Sequence, residues 1–138
     1  MNITDAVTIT GRGAANTIID GGWDGVAGSA TGSRIFRIDD GTATEQAVTI
    51  TGVTLQRAQT GTGNVSFNGG GISNSEHLTL SDSVIRDSYA NEGIAVFNTG
   101  TFVSSRNTFT GNGGGNGTVF NYGGALVSTD DAFTGNSI

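Results

Sequence analysis

Apolar and polar residues alternate over short runs in this chain, and the runs recur along it. Residues 6–10 read AVTIT, and residues 47–51 read AVTIT again. Further on, TFVSSRNTFTGN at 101–112 is echoed by ALVSTDDAFTGN at 125–136, 24 residues later. Alternation with a period of two predicts half-buried strands, and no stretch carries the 3.6-residue period of a helix. The pattern predicts strands at 6–10, 17–20, 34–38, 47–51, 78–81, 83–86 and 94–98, the last after a turn through Asn91, Glu92 and Gly93.

A unit of 23–24 residues repeated in register is the mark of a solenoid. One strand of three to five residues buries too little to offset the entropy of ordering it, so each needs a neighbour above and below. Coils stacked about 4.8 Å apart provide that, with equivalent residues in columns. The expected fold is all-β: a right-handed, single-stranded parallel β-helix of about five coils, spanning 1–138 as one domain. Loop insertions at 21–32 and 59–69 lengthen the first two coils. A left-handed β-helix would show a strict six-residue apolar repeat, which is absent, and a β-sandwich would not repeat one phrase in register.

The columns carry specific expectations. Leu55, Ile85, Phe109 and Phe133 form an apolar column expected to stack inside. Val48, Leu78, Phe102 and Leu126 form a second. Beside it, Ile50 and Leu80 give way to Ser104 and Ser128, so either the strand shifts by one residue or hydroxyls enter the core. Asn74, Asn98 and Asn121 share one turn column, and Asn112 and Asn136 share another. Stacked amides of this kind are expected to form asparagine ladders. Asp82, Arg106 and Asp130 fall in one column and Arg57 and Asp87 in another, so opposite charges sit one coil apart and discourage slipped registers.

Composition narrows the picture. Charged residues are only 13% of the chain and Thr, Val and Ile recur periodically, which argues against disorder. There is no proline, as expected where nearly every backbone N–H serves a ladder. Without cysteine there are no disulfides or thiolate metal sites. Twelve acids against six bases leave no basic stripe for nucleic acid. No apolar run is long enough to span a membrane, and residues 1–10 lack the features of a signal peptide.

Candidate chemistry is sparse. His77 stands alone, without a second histidine at metal-binding spacing. The adjacent acids Asp39–Asp40 and Asp130–Asp131 would point to opposite faces of a strand. Calcium, which takes six to eight oxygens, has one candidate set in Asp20, Asp24, Asp39 and Asp40. Trp23, Phe67, Tyr89 and Tyr122 are the aromatic candidates for lining a sugar site. Trp23 is expected to fold back as a lid over the open first coil.

The phrases AVTITGRGAANTIIDGG, GGGISNSEHLTLSDSVIRDS and TFVSSRNTFTGN resemble the parallel β-helix repeats of bacterial secreted and surface proteins. They are similar to those of polymorphic-outer-membrane and other adhesin-like proteins, and more distantly to pectate lyases and polygalacturonases. The resemblance implies a right-handed β-helix outside the cell or on its surface, usually within a longer polypeptide. The chain stops at GNSI without a capping element, so a fragment, or a unit stacking end to end on copies of itself, is expected. The expected function is a non-enzymatic, adhesin-like scaffold whose partner is a glycan or a host or cell-surface protein. One alternative is a polysaccharide-binding or polysaccharide-cleaving β-helix. Another is an ice- or surface-binding β-helix, for which Thr8, Thr49 and Thr79 form an outward array that ends at Val103.

Overall fold

The structure is a computed structural model that describes residues 1–27, 29–60 and 68–138. The first rung holds β1 (Asn2–Ile3), β2 (Val7–Thr10) and β3 (Ile18–Asp20), and the second β4 (Phe36–Ile38), β5 (Ala47–Thr51) and β6 (Thr54–Gln56). The third comprises β7 (Ile72–Asn74), β8 (His77–Ser81), β9 (Val84–Arg86) and β10 (Tyr89–Glu92). The fourth follows with β11 (Val96–Asn98), β12 (Thr101–Ser105), β13 (Thr108–Thr110) and β14 (Gly113–Asn116). The last has β15 (Val119–Asn121), β16 (Ala125–Thr129) and β17 (Ala132–Thr134). No helix occurs among the described residues.

Each strand pairs with its counterpart one rung on, always in parallel. β1, β4, β7, β11 and β15 form one five-stranded sheet. β2, β5, β8, β12 and β16 form a second, and β3, β6, β9, β13 and β17 a third. The stacking is that of an all-β solenoid and is consistent with a parallel β-helix. The repeated phrases have become columns: Leu55 pairs with Ile85, Ile85 with Phe109, and Phe109 with Phe133.

Two-residue corners join the second strand of a rung to its third. Their first residues are Gly52, Asp82, Arg106 and Asp130, with φ of 67°, 51°, 55° and 56°. Left-handed backbone turns the chain sharply, and glycine adopts it without steric cost. Charged side chains take the same conformation in the later rungs, where they project to solvent.

The uncertain strand at 101–105 keeps its register. Phe102 lies over Leu78 and Ser104 over Leu80, so small hydroxyls do enter the core. Ser104 is buried there, and its Oγ accepts a hydrogen bond from Asn107 Nδ2 at 2.9 Å. Replacing Leu by Ser leaves room: a cavity of about 30 Å³ lies among Phe102, Ser104, Phe109, Leu126 and Phe133.

Two expectations change. The segment through Asn91 and Glu92 is not a turn but part of β10, which pairs with β14 in a small fourth sheet. Glycine explains it: a Cβ at Gly115 would sit 1.9 Å from the Asn91 carbonyl oxygen, so only a bare backbone approaches this closely. Phe133, expected inside, is 50% exposed because its outer face lies on the end rung. Leu126 on that rung and Val7 on the first are exposed for the same reason, whereas Ile18 is exposed because it alternates with the inward Ile19 and faces outward.

Candidate functional site

Three ladders of polar side chains run along the stack. In the first, Asn74 Nδ2 donates to Asn98 Oδ1 at 2.7 Å, and Asn98 Nδ2 donates to Asn121 Oδ1 at 2.6 Å. Asn74 and Asn98 are fully buried, and each also donates to a backbone carbonyl of its own turn. In the second, Asn112 Oδ1 accepts from the Ser88 amide, and Asn136 Oδ1 accepts from the Asn112 amide. The third is Ser83, Asn107 and Asp131: Ser83 N donates to Asn107 Oδ1 at 2.9 Å, and Asn107 N to Asp131 Oδ1 at 2.8 Å. Its members differ in type, so matching identical letters overlooks it; the shared offset of 24 residues was the available signal.

Charges tie rungs together on the outside. Arg106 grips Asp82 through Nε and Nη2, both at 2.7 Å, and this hydrogen bonding holds the Asp82 carboxyl below the usual carboxylate range. Asp130 completes the column and adds an attractive field at Arg106. Arg57 does not turn to Asp87, as its column suggested. It binds Asp20 of the preceding rung through Nε and Nη2, the shortest contact 2.7 Å, while Asp87 lies 3.9 Å from its own neighbour Arg86. The Arg57 guanidinium, helped by Gln56 and the Gly22 amide, lowers the Asp20 pKa to about 2.

The calcium set is not assembled. Asp20 is engaged by Arg57, and Asp39 accepts from Arg37 at 2.7 Å. Asp24 accepts from the Val26 amide and the Ser29 hydroxyl, and Asp40 from the Thr42 amide and Gln46. Each carboxylate caps its own turn or meets an arginine instead of converging on a common point. No group of three or more potential metal-ligating side chains occurs among the described residues. His77 opens β8 on the surface, its Nδ1 4.0 Å from Glu45. Sequence reasoning also missed Glu76. It is buried, and its carboxylate accepts from the Asp40 amide at 2.9 Å and the Gln46 amide at 2.6 Å, pinning the connection between β4 and β5.

Apart from the phenylalanines of the inner columns, the described aromatic residues separate into two clusters. Trp23 does not cover the first coil. Its backbone N–H is bound by the Arg57 carbonyl at 2.8 Å, and its ring lies 5.4 Å from Tyr89 of the third rung, so it packs along the flank. Phe67 lies outside the described residues, as does most of the 59–69 insertion. Tyr122 stands elsewhere, with Phe97 and Phe120, two rings that sequence reasoning did not single out. Phe97 and Phe120 share an outward column with Arg37 and Ser73, in register from rung to rung. Their rings stack at 5.9 Å and 7°, and Tyr122 is 6.4 Å from each. Beside them lies a depression of about 470 Å³ lined by Asn68, Glu92, Phe97, Thr99 and Tyr122.

On the outward face of the second sheet, Thr8, Thr49, Thr79 and Val103 align as expected. The neighbouring column, Thr10, Thr51, Ser81, Ser105 and Thr129, carries hydroxyls on every rung. No family model, curated protein or solved structure matches this chain.

Proposed function

We propose that the chain is a right-handed, single-stranded parallel β-helix acting as a non-enzymatic, adhesin-like scaffold outside the cell or on its surface. One observation carries this reading: many of the polar side chains that elsewhere do chemistry are here engaged in tying one rung to the next or in capping turns. Asp82 with Arg106 and Asp20 with Arg57 tie one rung to the next, and the asparagine amides do the same inside. Such a stack is stiff, and it holds outward side chains at the rung spacing of about 4.8 Å. The resemblance to adhesin-like repeats supports the same reading. The test is adhesion of beads carrying the whole chain to polysaccharide- and cell-coated surfaces, run beside an assay for chain cleavage. Retention without product supports the scaffold; release of reducing or unsaturated sugar ends overturns it.

Polysaccharide binding is the second reading, favoured by the aromatic depression beside Phe97 and Tyr122. An outward column that begins with polar residues and ends in two stacked phenyl rings beside the exposed Tyr122 offers an aromatic surface for a partner.

A further inference from the structure

We infer that this depression binds a neutral pyranose glycan, with Phe97 and Tyr122 stacking on the sugar and the Glu92–Asn68 pair recognising its hydroxyls. The inference rests on the polysaccharide-binding reading and gives it a site and a ligand class. The rings carry the first part. Phe97, Phe120 and Tyr122 lie within 20° of parallel, with centroids 5.9–6.4 Å apart, and Tyr122 is 68% exposed. Tyr122, the exposed member of the three, offers a ring surface to the flat C–H face of a pyranose, with Phe97 and Phe120 stacked beside it. A cage for an organic cation needs ring faces turned towards a common centre.

The polar rim carries the second part. Asn68 Nδ2 donates to Glu92 Oε2 at 2.8 Å, and Asn68 is itself buried, its main-chain oxygen held by Arg34 at 2.5 Å. The carboxylate is therefore oriented before any ligand arrives, and an ionised carboxylate has several acceptor sites for hydroxyl donors. Glu92 belongs to β10 and Phe97 to β11, so both stand on paired strands. The depression, at about 470 Å³, falls within the size range of small-ligand sites.

Charge decides the class of sugar. Among the described residues the lining has one carboxylate and no cationic side chain, the nearby Arg34 guanidinium being turned to the main-chain oxygens of Asn68 and Gly69, on a protein of net charge −6. Uronate or sulfated chains would be repelled, whereas a neutral hexose chain meets hydroxyl acceptors and an aromatic face.

The experiment titrates the whole chain by calorimetry with cellohexaose, maltohexaose, a galacto-oligosaccharide and oligogalacturonate, up to millimolar concentration. At least one neutral oligosaccharide is expected to bind, and oligogalacturonate is not. Tyr122→Ala and Glu92→Gln should each weaken binding about tenfold, and Trp23→Ala should leave it unchanged. Tyr122 is exposed, so its loss should not unfold the chain, and an unchanged melting curve checks that. Binding that Tyr122→Ala and Glu92→Gln leave intact, or that prefers oligogalacturonate, overturns this site while polysaccharide binding survives. No binding to any of the four sugars overturns both.

Discussion

Arg106 sits one rung from Asp82 and clasps it with two parallel hydrogen bonds of 2.7 Å, and both residues hold left-handed backbone angles. The pair therefore decorates a corner that glycine makes elsewhere, at Gly52. Arg106→Asp would put three like charges in a row with Asp82 and Asp130. A fall in melting temperature of about 2–5 °C is expected. The double exchange Asp82→Arg with Arg106→Asp should recover part of it. Thermal melts at low and high salt check both, since screening should shrink the difference.

The buried amide ladder should be less forgiving. Asn98 Nδ2 donates to Gly100 O, Asn121 Oδ1 and Ala125 O, and its Oδ1 accepts from Asn74. Asn98→Ala strands several buried partners, and a loss of about 2–4 kcal/mol is expected from denaturant unfolding. Asn98→Asp, nearly the same shape, should be at least as damaging, because a carboxylate offers those three oxygens no proton.

Phe109 and Phe133 look equivalent as letters and are not equivalent in energy. Their rings stack at 4.7 Å, but Phe109 is fully buried and Phe133 is half exposed. Phe109→Ala should cost about 3–5 kcal/mol. Phe133→Ala should cost about half as much, because water already reaches one face of the ring. Urea titrations of the two variants give the comparison directly.

Asp20 sets an acid limit. Its pKa is about 2 in the folded chain, below the ordinary value near 3.9 that it regains on unfolding. The unfolded state thus takes up the proton first, so this contribution is complete above pH ~4 and disappears as pH falls through about 2. Asp20→Asn should lower the melting temperature by about 1–4 °C at neutral pH and by nearly nothing at the acid end. Melts of wild type and variant across that window measure the convergence.

Legibility followed from the kind of signal each residue leaves. Leu55, Ile85, Phe109 and Phe133 could be aligned because apolar bulk recurring within the same repeated phrase has few alternatives. Asn74, Asn98 and Asn121 were visible because the same letter recurs. Ser83, Asn107 and Asp131 were not, because a ladder needs only an oxygen in the right place and three residue types supply it. The β10–β14 pairing was hidden for the opposite reason. Glycines at 113–115 carry no side-chain pattern, and their backbone alone makes the sheet. Phe97 and Phe120 were hidden by location, since period-two alternation marks what is inside and says little about rings placed on the outside. Glu76 could be found only from the folded connection between β4 and β5, whose amides it gathers.

The two-residue corners have a consequence for how such a chain changes over time. One position bends the backbone and turns its side chain to water; the next turns inward and fastens the rung. Because these duties fall to different residues, the outer position can exchange glycine, acid or base without disturbing the fastening. A surface drawn from such positions can be rewritten letter by letter while the frame beneath it stays as it was.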